Sequence, residues 1–143
     1  MDTLVTVAII SASAAIIAAP ATFFITKYKE REAEWRRYKF EFYKELVQSL
    51  SGTVGTDSTA DGQRRFASAC NTLCLIASKS ALDALNAFRD EIRTSNPNRS
   101  VDRHDVLLSQ MVWHIREDLG IPDNASIEDF KAQLWTSGNA PGN

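Results

Sequence analysis

"WRRYKFEFYKELVQSL", Trp35 to Leu50, carries Trp35, Tyr38, Phe42, Tyr43, Leu46, Val47 and Leu50 at offsets of 0, 3, 7, 8, 11, 12 and 15. Those intervals follow the period of an α-helix, so one face is apolar and needs another element to cover it. Glu45 breaks a seven-residue spacing, which argues against a long coiled coil and for a helix that packs into a bundle. The expected fold class is therefore all-α: an N-terminal transmembrane helix continuing into an antiparallel bundle of four or five helices.

Charge changes sharply on the upstream side. Lys27 to Lys44 holds seven basic and four acidic residues, whereas residues 45–143 hold nine basic and thirteen acidic, in a chain of net charge −2. Tracking a nucleic-acid backbone needs a basic face across the binding domain, so nucleic acid is not an expected partner. Lys27, Tyr28, Lys29, Arg31, Trp35, Arg36 and Arg37 instead mix cations and rings in the way membrane–water interfaces do. A solvated positive flank is the plainer reading of this belt, and a contact for anionic lipid the sharper one.

Before the belt, Thr3 to Thr26 contains no charged residue. Leu4 to Thr26, as a helix, rises about 35 Å against a hydrocarbon thickness of about 30 Å. Ten of its residues are Leu, Ile, Val or Phe, together worth roughly −3 to −6 kcal/mol for insertion. A cleaved signal peptide would want a positive start and a shorter apolar core, yet the only early charged side chain is Asp2. Six basic residues within thirteen positions after the run, and none before it, orient the N-terminus outward and the body toward the cytoplasm. Pro20 removes one helical hydrogen bond and is expected to bend the span near Ile16 to Ala19. Ser11, Ala15 and Ala19 recur every fourth residue, a small-residue stripe through which two spans can approach and form a homo-oligomer.

Downstream, "SGTVGTDSTADGQ", Ser51 to Gln63, reads as a flexible loop; neither Gly55 nor Gly62 is followed by the Lys and Ser/Thr of a phosphate-binding loop. Phe66, Ala69, Cys70, Leu73, Ile76 and Ala77 form one stripe, and Leu82, Leu85, Phe88 and Ile92 another, with a turn near Lys79 and Ser80 as the expected cap. "TSNPNRSVD", Thr94 to Asp102, reads as a loop with Asp102 capping a broadly apolar helix through Leu119. Gly120 and Pro122 stop that helix. Ser126 to Asp129 is expected to open a short final helix carrying Ile127, Phe130, Leu134 and Trp135. The expected organisation is a transmembrane anchor at 1–26, a basic and aromatic juxtamembrane helix at 27–50, a loop at 51–63, a bundle at 64–135 and a disordered tail at 136–143.

Candidate chemistry is sparse. Cys70, Cys74, His104 and His114 match no zinc spacing; the cysteines read as small core residues and the histidines as lying toward helix surfaces. A disulfide between Cys70 and Cys74 would fight helical geometry, which favours a reducing compartment. Asn98 and Asn124 begin glycosylation-type triplets that read as chance. Neighbouring carboxylates at Asp90 and Glu91, Glu117 and Asp118, and Glu128 and Asp129 point about 100° apart on a helix, so each pair reads as a solvated face. Arg116 beside Glu117 reads as helix-end electrostatics. No catalytic, cofactor-binding or metal residue is assigned, no cofactor is expected, and the chain is not expected to be an enzyme.

The pieces "FYKELVQSLSG", "FASACNTLCLIASKSALDALNAF" and "LLSQMVWHIREDLG", in that order after an apolar span, resemble a loose group of uncharacterised bacterial proteins with a membrane anchor and a small cytosolic helical domain. The resemblance implies a single-pass protein of the inner (plasma) membrane and supplies no activity and no site residues. The expected function is that of a membrane-anchored adaptor or scaffold that meets the lipid bilayer and an unidentified protein partner. The alternative is a small membrane-acting effector, such as a toxin, phage-defence or exclusion factor, that oligomerises through its span.

Overall fold

The apolar stripe ending at Leu50 is part of a single long helix, α1, Thr3–Leu50. The computed structural model describes residues 3–50, 53, 59–121 and 124–133, with the side chains at 4, 6, 8–17 and 19 outside that description. Three further helices follow: α2 (Ala60–Leu73), α3 (Lys79–Ile92) and α4 (Val101–Asp118). Among the described residues there is no strand.

The chain divides into two compact units, Met1–Arg37 and Tyr38–Asn143. In the first, the backbone stays helical through Pro20, and Thr22 Oγ1 donates to the Ala18 carbonyl at 2.8 Å. Among the described residues, no helix is long and apolar enough to cross a membrane. Most of the uncharged run, including Ser11, Ala15 and Ala19 of the small-residue stripe, has side chains outside the described ones.

In the second unit, residues 38–50 of α1 join α2, α3 and α4 in an up-down-up-down bundle. Each direction is fixed by contacts at the ends. Arg65, early in α2, pairs with Glu45 at 2.8 Å; Phe88, late in α3, lies 5.3 Å from His104, early in α4. Ser78, just before α3, donates its N–H to Asp118, the last residue of α4. The core takes Tyr43, Leu46 and Leu50 from α1, Phe66, Ala69, Cys70 and Leu73 from α2, Ala81, Leu85 and Phe88 from α3, and Leu108, Met111 and Ile115 from α4. The stripes read from the periodicity are thus the buried faces. Coverage of the α1 stripe starts at Phe42, because Trp35 and Tyr38 remain about half exposed.

The boundaries differ from expectation at four points. The loop after α1 ends earlier, since Thr59 caps α2 by accepting the Gly62 N–H at 3.0 Å. Ser78, not Ser80, caps α3, and Ser100, not Asp102, caps α4; both have the extended backbone a cap requires, and each side chain accepts the N–H three residues on. No fifth helix forms at Ser126 within the described residues. The Ser126 carbonyl accepts the N–H groups of Asp129 and Phe130, giving one turn, and the Ala132 N–H then turns away to Ser109 Oγ at 3.0 Å. Leu134 and Trp135 lie outside the described residues. The α4 stop is as read, with Gly120 at φ 67°, where a side chain would clash.

Candidate functional site

The belt and the bundle offer different chemistry. On α1, Lys27, Tyr28, Lys29, Arg31, Trp35, Arg36 and Arg37 are all exposed, as are Phe23, Phe24 and Ile25 just before them. Phe23 and Phe24 meet edge to face at 5.9 Å. Lys27 pairs with Glu30 at 2.7 Å and Arg36 with Glu32 at 2.5 Å. Pairs this open to water contribute little to stability. They bear on which cations stay available, more than on stability.

A second constellation lies at the end of the bundle where α4 finishes. Asp118 accepts from Lys39 Nζ at 2.8 Å, from Tyr43 Oη at 2.5 Å and from the Ser78 N–H at 3.2 Å. The Asp118 side chain is only 7% exposed and that of Lys39 11%, so Asp118 is the reverse of a solvated helix-end acid. Burial alone would push its carboxyl up, but the hydrogen bonds from Lys39, Tyr43 and Ser78, with the Lys39 charge, outweigh this and hold it below the ordinary carboxylate value. Burial, followed by the hydrogen bond to Asp118, pushes the Tyr43 hydroxyl well above the usual phenol range. One carboxylate thereby ties α1, the α2–α3 turn and α4 together.

Glu91 does the same at the other end. It is 5% exposed, accepts the Ser100 N–H at 2.7 Å and the Asn96 amide at 3.4 Å, and lies 3.5 Å from the Arg103 guanidinium. The expectation of solvated faces therefore fails for one acid in each of two pairs, because each is turned inward onto donors from another element. Asp90 and Glu117 do face water, where they pair with Arg93 and His114.

Residues 126–132 run along α4. Phe130 meets Trp113 edge to face at 5.4 Å and lies beneath the Arg116 guanidinium at 5.5 Å. Arg116 thus serves as a packing residue for this segment.

The soft-ligand candidates do not converge. Cys70 is buried and Cys74 exposed, which corrects the reading of both as core. Burial pushes the Cys70 thiol up to about 11, away from the thiolate that a nucleophile or metal ligand needs. His104 Nδ1 pairs with Asp105 and His114 Nδ1 with Glu117. His104 is partly exposed, its side chain 27% accessible; one side of the ring rests on Phe88, and its Nε2 is buried with no hydrogen-bond partner among the described residues. No group of three or more His, Cys, Asp or Glu among the described residues is placed to hold a metal ion.

No protein-family model, curated protein or solved structure matches the chain.

Proposed function

We propose that the chain is a single-pass protein of a bacterial inner membrane, anchored by residues 4–26 with its N-terminus outside, that presents its helical bundle in the cytoplasm as an adaptor or scaffold domain. One observation carries the anchor: Thr3 to Thr26 has no charged residue, and its backbone belongs to a helix that runs on through the basic and aromatic belt to Leu50. A helix with all backbone groups satisfied internally and no charge to desolvate is what a bilayer accepts. The cations then follow the run on one side only, which supports a cytoplasmic bundle.

The adaptor role draws its support from the bundle's interior. Its most buried charged groups, Asp118 and Glu91, are consumed in holding helices together, so the chemistry they offer is structural. A packed helical bundle suits presentation of a surface to a partner.

Single-cysteine variants near residues 2 and 140, labelled by a membrane-impermeant maleimide in intact cells, test the topology. The first should react and the second should react only after lysis; the opposite pattern refutes the orientation. Photocrosslinking from the bundle surface in native membranes then identifies the partner.

A further inference from the structure

Between residues 27 and 37, five cations stand with three carboxylates. Lys27 and Arg36 are engaged by Glu30 and Glu32. Lys29, Arg31 and Arg37 are exposed, and among the described residues none of them has a carboxylate partner. At about 100° per residue, Arg31 stands about 200° round the helix from Lys29, and Arg37 about 80°. A helix lying flat on a membrane gathers its cations on one side. Cations spread round the axis suit a helix that passes through the headgroup layer and meets lipid on every side.

Depth separates the three. At about 1.5 Å per residue, Lys29 and Arg31 stand about 4.5 and 7.5 Å past Thr26, and Arg37 about 16 Å past it. The headgroup layer on one side of a bilayer is about 5 to 7 Å thick. The first two therefore reach lipid phosphates directly, with the 70% exposed ring of Tyr28, one residue before Lys29, at the level that aromatic side chains favour. Arg37 lies further out, where salt screens charge over about 8 Å.

We propose that Lys29 and Arg31 bind the headgroup phosphates of anionic phospholipids on opposite sides of α1, so that the chain selects negatively charged lipid for its immediate shell. This inference rests on the membrane reading above and adds the lipid class and the two residues that choose it. The acidic balance of residues 45–143, nine basic against thirteen acidic, confines the attraction to the belt.

The full chain, reconstituted in phosphatidylcholine vesicles with traces of spin-labelled phosphatidylglycerol or phosphatidylcholine, provides the test by electron paramagnetic resonance. The wild type should immobilise the anionic probe about fivefold more than the neutral one, the ratio equivalent to about 1 kcal/mol. Lys29→Gln with Arg31→Gln should bring the two probes near parity, while Arg37→Gln should keep most of the preference. Flotation of the same vesicles in urea reports insertion separately. Equal immobilisation of both probes by a wild-type chain that still floats overturns the lipid preference and leaves the membrane anchor standing. A chain that urea strips from the vesicles overturns both. An Arg37→Gln loss as large as that of the double variant overturns the assignment to Lys29 and Arg31.

Discussion

Tyr43 and Asp118, 75 positions apart in the chain, share a 2.5 Å hydrogen bond, and Lys39, one helical turn before Tyr43, takes the other carboxylate oxygen. Asp118 is the last residue of α4, the end at which a helix dipole repels negative charge. Its partners must overcome both that repulsion and the cost of burial.

Removing the carboxylate should therefore cost more than an ordinary surface substitution. Asp118→Ala removes the carboxylate shared by Lys39, Tyr43 and Ser78 and is expected to destabilise the bundle by about 3 kcal/mol, read by urea unfolding of the detergent-solubilised chain. Tyr43→Phe loses one hydrogen bond and should cost about 1 kcal/mol. Replacing both ends with apolar side chains, Lys39→Met with Asp118→Leu, should recover only part of the loss: neither charge then remains to be desolvated, but the Tyr43 hydroxyl and the Ser78 N–H still lack the acceptor that Asp118 provides.

The same pair sets a pH window. Asp118 titrates below its ordinary value of 3.8 in the folded chain, so its contribution is complete above that value and is lost as pH falls through the folded one. Tyr43 titrates above its ordinary value of 10.0, so its contribution is complete below that value and is lost as pH rises beyond it. Stability should be level between about pH 5 and pH 9 and fall on both sides. Asp118→Asn should flatten the acid side and Tyr43→Phe the alkaline side, both read as unfolding midpoints against pH.

Glu91 fastens the α3–α4 connection by accepting the N–H of Ser100, the residue that caps α4. Glu91→Ala should cost about 2 kcal/mol through the orphaned N–H and amide, with Glu91→Gln recovering roughly half. Amide hydrogen exchange at residues 96–104 should accelerate in Glu91→Ala more than exchange in α2.

The helices and their inner faces were legible because burial imposes a period on Tyr43, Leu46 and Leu50, or on Leu85 and Phe88, that local sequence displays. Asp118 and Glu91 were misread as solvated because their partners are set by the fold: Lys39 lies 79 positions away. A weak signal did exist. Both acids occupy the last turn of a helix, the unfavourable end for negative charge, and such a placement calls for a compensating donor. The final segment was misread for a related reason. A serine followed three residues later by an acid suggests a helix start, yet Phe130 gains more by meeting Trp113 and Arg116 on α4 than by continuing a turn.

That preference is testable through Trp113. Phe130→Ala should cost about 1 kcal/mol from the aromatic contact and shift Trp113 emission to longer wavelength, measured with Trp35 and Trp135 replaced by Phe. An unchanged spectrum would mean that residues 126–132 do not cover this face of α4.

Alkaline carbonate extraction of native membranes bears most directly on the anchor. An uncharged helix from Leu4 to Thr26 seated in hydrocarbon should keep the intact chain in the membrane pellet, and introducing two arginines in the run should release it. Recovery of the unaltered chain in the supernatant would contradict the membrane anchor, and with it the lipid contacts of Lys29 and Arg31.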